Sequence, residues 1–195
     1  MSDSVERVLL LTGELSFRGS SILTMRLASG LESRGIEAIV LCTRAQPLDP
    51  NLTRGVKIIR VPGYTVPVWG RVVRRTVLNQ LEEQPPDVIH VQGPKMLPQA
   101  LWLGRTLDRP VVLSLTDQGE ATRVLLSTPN SLCRAIICVS ESVRAALPSR
   151  LDQIEQRVIL PGVPLDLDRK VPPIFQEDRV PVIGMAGPLE VIKGG

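Results

Sequence analysis

The stretch RVLLLTGELSFRGSSILTMRLASGLESRGIEAIVLCT, residues 7–43, decides the fold. Val8 to Leu11 is a short unbroken apolar run, the mark of a strand buried on both faces. Gly13 to Gly19 reads as a loop. Ile22, Leu23, Leu27, Ala28 and Leu31 then recur at helical spacing, and Gly35 stops the helix. Ala38 to Cys42 is a second apolar run. Strand, helix and strand in this order form a βαβ unit, whose strands lie parallel and whose crossover is right-handed.

Outward from that unit the alternation continues. Strands are expected at Val56–Val61, Val88–Val91, Val111–Leu115, Ala135–Val139 and Val158–Leu160. Helices are expected at Trp69–Glu83, Leu97–Leu107, Glu120–Ser127 and Glu141–Leu147, the last capped by Ser140. Such a pattern predicts a doubly wound α/β domain, a mostly parallel Rossmann-like sheet with helices on both faces. Ligands of such sheets sit beyond the carboxyl ends of the strands. The loops to watch are therefore 12–19, 43–47, 92–95, 116–120 and the Ser140–Glu141 turn.

The domain is expected to occupy residues 1–163, followed by a polar, proline-bearing linker over 164–180. The tail VPVIGMAGPLEVIKGG, residues 180–195, has an apolar strand over Val182–Ala186 that enters a turn rich in glycine around Lys193. Residues 181–195 thus read as the first strand and phosphate-facing turn of a further domain that the chain does not complete.

Composition narrows the function classes. With a net charge of +3 and only 3% aromatic residues, basic and stacking side chains are not interleaved as single-stranded nucleic acid favours. No nucleic-acid partner is expected. Every apolar run is broken well short of the roughly 20 residues of a membrane helix, and the N-terminus lacks the pattern of a secretory signal. A cytoplasmic protein is expected. Cys42, Cys133 and Cys138 are too few and too irregularly spaced for a metal or redox motif, and are read as buried free thiols. No metal or other cofactor is indicated.

Several segments, in order, carry a family resemblance. Arg18-Gly19-Ser20 followed by MRLASGLESRGIEAIVL, then PDVIHVQ over 86–92, ICVSESVRAAL over 137–147, VILPGVPLD over 158–166 and GMAGPLEVIKGG over 184–195 together resemble glycosyltransferase family 4. The match is to its N-terminal Rossmann-like domain and the start of its donor domain, within the two-domain GT-B fold. The resemblance implies a retaining transferase that moves a sugar from a nucleotide-sugar donor to a sugar, lipid-linked or other small acceptor held by the N-terminal half. It also implies that a chain stopping at Gly195 is inactive alone. Arg18 and Gly19 would lie near the donor phosphate and acceptor, Gln92, Thr116 and Glu141 along the acceptor loops, and Lys193 on the donor diphosphate. Asp117 is the residue assigned to catalysis. Three positions depart from the family pattern. Thr116 stands where a histidine often precedes the aspartate, Gln92 replaces the second histidine of the PDVIHVQ strand, and Pro188 replaces an arginine. A lysine does not reproduce that arginine's bidentate phosphate contact.

Plainer readings stand beside these. Gly19 serves equally as a tight-turn residue, Asp117 and Glu141 as helix-start residues, and Lys193 as a solvated side chain. His90, the only histidine, alternates into a buried strand and reads as a core residue. On the helix over 69–81, Val72, Val73, Val77, Leu78 and Leu81 are expected inward, with Arg71, Arg74 and Arg75 near Trp69. That basic amphipathic pattern suits either a solvated face or peripheral contact with an anionic membrane. Two other classes remain as rivals: a noncatalytic binding module of the same fold, and another nucleotide-sugar enzyme with a Rossmann domain. Against the last, GELSFRG lacks the G-x-G-x-x-G spacing of a dinucleotide fingerprint.

Overall fold

A computed structural model describes residues 4–16, 19–48, 50–64, 70–124 and 132–162. Its strands are β1 (Arg7–Leu15), β2 (Glu37–Ala45), β3 (Lys57–Arg60), β4 (Val88–Gln92), β5 (Val111–Leu115), β6 (Cys133–Cys138) and β7 (Glu155–Val158). The helices are α1 (Gly19–Glu32), α2 (Pro50–Thr53), α3 (Gly70–Glu82), α4 (Leu97–Leu107), α5 (Gln118–Thr122) and α6 (Glu141–Ala145). All seven strands form one sheet in the order β3-β2-β1-β4-β5-β6-β7, and every adjacent pair is parallel. The doubly wound α/β reading therefore holds, with a wholly parallel sheet in place of a mostly parallel one. The compact unit containing these elements ends at Pro161. The expected linker over 164–180 and the strand and turn over 181–195 lie outside the described residues.

Alternation along each strand feeds two cores. Val8, Leu10, Ala38, Val40 and Cys42 face one side, where Met25 and Ala28 of α1 cover them. Leu9, Leu11, Ile89, Val91, Val111 and Leu113 face the other, against Val77 and Leu81 of α3 and Ala100 and Leu103 of α4. Gly104 of α4 lies so close to β5 that an added Cβ would come within 2.8 Å of Val111 Cγ2 and of the Arg109 carbonyl. Only glycine permits that approach. The three cysteines are free and buried, as expected.

Several elements differ from the sequence reading. β1 runs to Leu15 instead of stopping at Leu11, because its pairing with β2 continues through Thr12–Cys42 and Glu14–Arg44 to Leu15–Ala45. Polar residues at a strand's carboxyl end conceal such an extension. The short α2 was not expected. α5 begins at Gln118, two residues before the expected start, because Asp117 caps it by accepting from Glu120 N; residues 125–131 are outside the described set. α6 ends two residues early, at Ala145. β7 is Glu155–Val158, not 158–160: it is an edge strand with charged Glu155 and Arg157 exposed, so no apolar run marks it. The apolar residues chosen in its place, Ile159 and Leu160, are exposed. On α3, Val77 and Leu81 are buried and Val73 and Leu78 pack partly against the core, but Val72 is 68% exposed and not inward.

The amino ends of β1 and β4 are tied by Asp87. Its Oδ2 accepts from Glu6 N at 2.8 Å and Arg7 N at 2.9 Å, while its own N–H donates to the Arg7 carbonyl. These two backbone bonds, ahead of smaller contributions from nearby arginines, hold the carboxyl below its ordinary pKa. Val8 then meets Val88 at the first paired position. Asp87→Ala should lower unfolding free energy by about 1–3 kcal/mol, the usual cost of stranding donors bound to a charged group, as read by urea denaturation.

Candidate active site

In this strand order the crossover direction reverses between β1 and β4, the switch point at which sheets of this kind form a ligand crevice outside the carboxyl ends of the strands. On the β1 side, Gly19 opens the 14-residue α1, with no acidic residue in its first turn to offset the positive end of the helix dipole. Space around Gly19 is open. Ser21 is buried and fastens the approach to the helix: its hydroxyl accepts from Ser16 N at 3.0 Å and donates to the Glu14 carbonyl at 3.2 Å. Arg18 lies outside the described residues.

On the β4 side, Gln92 ends the strand, half-buried, and its Nε2 is buried without a hydrogen-bond partner among the described residues. Gly93 follows at φ 87° and ψ 157°, a conformation open almost only to glycine. Its N–H donates to the Ser114 carbonyl of β5 at 2.9 Å. A side chain there would also collide with Glu120, whose Oε1 is 3.0 Å from the position of a Cβ.

Glu120 organises the next loop. Its Oε2 accepts from Thr116 N at 2.7 Å and from Thr116 Oγ1 at 2.9 Å. Its own N–H donates to Asp117 Oδ1 at 2.7 Å. Thr116, Asp117 and Glu120 thus form a reciprocal clasp at the start of α5, beside Gly93. Sequence reading placed Thr116 and Asp117 here and missed Glu120. The D-x-x-E spacing, a relative of the capping box, was the signal that could have found it.

Glu141 stands apart from this cluster in its hydrogen bonding. It follows the cap Ser140, which accepts from Val143 N at 3.3 Å, and its exposed carboxylate pairs with Arg144 at 2.7 Å. Lys193, assigned to the donor diphosphate, lies outside the described residues. His90 is buried, with Nε2 2.7 Å from Ser114 Oγ. Burial pushes its pKa down to about 4, so the ring is neutral near pH 7.

One comparison gives the family and another the fold. The model of Glycosyltransferase Family 4 matches residues 17–167. HepE of Anabaena, solved in complex with UDP and glucose, superposes with a TM-score of 0.60 at 18% identity, over 82% of this chain and 45% of that one. WaaG, a glycosyltransferase involved in lipopolysaccharide biosynthesis, gives 0.53 at 16% identity, over 85% and 48%. UDP-N-acetylglucosamine 2-epimerase from Rickettsia bellii gives 0.50 at 13% identity, over 79% and 44%. The chain spans less than half the length of each of these three proteins, and likeness at such identities shows the fold alone. No curated protein sequence matches the chain.

Neutral His90 makes stability depend on pH. Its folded pKa of about 4 lies below its ordinary 6.5, so between these values the unfolded chain binds more protons and stability falls as pH falls. The full difference is about 3 kcal/mol, complete only below the folded pKa of about 4. Urea midpoints measured from pH 7.5 downward should fall through this window, and His90→Gln should flatten that decline. Asp87, depressed below the carboxylate range, titrates beneath it.

Proposed function

The chain belongs to glycosyltransferase family 4, and from that premise we propose that it holds the acceptor in an enzyme transferring a sugar from a nucleotide-sugar donor with retention of configuration. The observation that carries this reading is the family match across residues 17–167, which takes in the start of α1 and the carboxyl-edge loops that follow β2 to β6. The first N–H groups of α1 at Gly19 and Ser20 point a positive dipole end at the crevice, suited to a donor phosphate as the leaving group gathers charge. Arg18 belongs to the same loop. HepE was solved with UDP and glucose, so a UDP-sugar is the donor to test first.

Asp117 is the residue we assign to catalysis. One carboxylate oxygen is held by Glu120 N, which fixes its direction, and the residue is exposed at the sheet edge. Its second oxygen would accept the hydrogen of the attacking acceptor hydroxyl and raise that oxygen's nucleophilicity. Gln92 and Thr116 would line the acceptor, with the unpartnered Gln92 amide donating to a hydroxyl. Glu141 is placed at the rim, and Lys193 at the donor diphosphate. Residues 164–180 are read as a linker and 181–195 as the start of a donor domain. No metal or cofactor is invoked, and the protein is placed in the cytoplasm. Among the described residues no helix is long and apolar enough to cross a membrane.

A noncatalytic module is the second reading, favoured by one observation: the Thr116 hydroxyl and one Asp117 oxygen are both engaged in capping α5. In the complete gene product, incubated with UDP-sugars and candidate acceptors, Asp117→Asn should lower kcat/KM on the order of 100-fold with the fold unchanged. Absence of transfer or donor hydrolysis by the unmodified protein would decide for the module.

We place peripheral membrane contact on α3. Val72 and Arg75 are exposed there, whereas Arg74 lies 4.9 Å from the centroid of the Trp102 ring and is partly withdrawn. Vesicles of phosphatidylcholine with phosphatidylglycerol should retain the protein at low salt. A Val72→Ser, Arg75→Gln double variant should lose most of that retention, and equal retention of both proteins counts against the role.

A further inference from the structure

The edge of the sheet carries a second concavity, on the far side of β1 from the crevice. About 560 Å3 in volume, it lies across the carboxyl ends of β1, β2 and the turn after β3. Glu14, Thr43, Arg44, Gln46, Arg60 and Gly63 line it. Nothing in the sequence reading singled out Arg44 or Arg60.

Strand geometry explains why the two arginines converge. Cys42 pairs with Arg60 across the β2–β3 ladder, and Arg44 lies two residues beyond Cys42 on the same strand. Register puts Arg60 beside Cys42, on the face that Cys42 shares with α1, and Arg44 borders the same cleft. Adjacent strands run about 4.8 Å apart, so two side chains of this length, both lining the cleft, are able to reach one anion. Both arginines are exposed, and neither has an ion pair or side-chain hydrogen bond among the described residues.

The remaining lining shapes the ligand further. Glu14 pairs with Arg44 in the β1–β2 register, yet its Oε1 takes Gln46 Nε2 at 3.4 Å and no ion pair to Arg44 forms. Two positive groups face one negative group, and the excess favours an anion. Thr43 donates its hydroxyl to the Gly13 carbonyl, which fixes the cleft wall. Two guanidinium forks on neighbouring strands suit an anion with three acceptor oxygens, whereas a carboxylate offers one bidentate edge. The volume well exceeds a phosphate alone and falls within the range of small-molecule sites. Beside the charged groups the wall is made of Thr43, Gln46, Ala45, Pro62 and Gly63, a mixed polar and apolar surface.

We propose that this cleft binds the phosphate of a phosphorylated polyol or sugar, soluble or lipid-borne, with Arg44 and Arg60 as its anion ligands. That this molecule is the acceptor rests on the transferase reading above; the phosphate site itself does not. The phosphate would anchor the acceptor at β2 and β3 while its hydroxyls extend toward β1 and the crevice.

Titration of the full chain with glycerol 3-phosphate at low salt, followed by backbone amide shifts, tests the site. The expected result is movement of the Ala45, Gln46 and Gly63 amides, none with glycerol, and at least tenfold weaker binding in Arg44→Gln and in Arg60→Gln. Glu14→Gln should tighten binding severalfold. A second arm uses phosphatidylcholine vesicles with and without phosphatidic acid: retention that the two arginine variants abolish assigns the phosphate to a lipid, and binding in the first arm alone assigns it to a soluble molecule. Shifts centred on Gly19 and Gly93, or affinities in both arms that ignore Arg44 and Arg60, would overturn the proposal. Binding that persists in a protein without transfer activity removes the acceptor role and keeps the phosphate site. Transfer that persists without such binding removes the site and keeps the transferase.

Discussion

Parallel pairing of β1 with β2 on one side and β4 on the other is the constraint on which the rest depends. Because every strand points the same way, all the connecting loops that follow strands emerge at one edge. The start of α1, the Gly93 turn, the Thr116–Glu120 clasp and the arginine cleft are neighbours for that reason alone. None is close to the others in sequence. Burial supplies the energy: Leu9, Leu10 and Leu11 are wholly buried, and each face of β1 feeds a different core.

On that edge the backbone is held in place by a few polar devices. Ser21 secures the approach to α1, Gly93 takes a conformation closed to other residues, and Glu120 captures both the amide and the hydroxyl of Thr116. Each removes freedom from a loop that would otherwise wander, which is what preorganised recognition requires. Glu120 and Gly93 also constrain one another, since the carboxylate fills the space a side chain at Gly93 would use. The turn after β4 and the loop after β5 thus meet at this point.

The sequence made the architecture legible where apolar runs are long and unambiguous, as at Val8–Leu11, Ala38–Cys42 and Val111–Leu115. It failed where a strand is polar. The carboxyl third of β1 and the whole of β7 are held by ladder hydrogen bonds and neighbours, not by their own hydrophobicity. Val72 misled for a related reason: valine at helical spacing suggests burial, yet this one lies about 100° around the helix from Val73, off the face that meets the sheet. At the candidate site Thr116, Asp117, Gln92 and Gly19 were singled out by loop position and family pattern. Glu120, Arg44 and Arg60 were not, because their meaning comes from partners on other strands. His90 was readable from alternation, and its bond to Ser114 follows from the β4–β5 register.

The Asp87 clamp sits at the opposite end of the sheet from every candidate ligand-binding loop. The clamp on the central strands thus sits at one end, and the candidate ligand-binding loops occupy the other. Such a division lets descendants of this scaffold exchange carboxyl-edge loops, and with them substrates, without disturbing the element that registers the sheet. Selection for a new ligand and selection for a folded chain then act on separate residues.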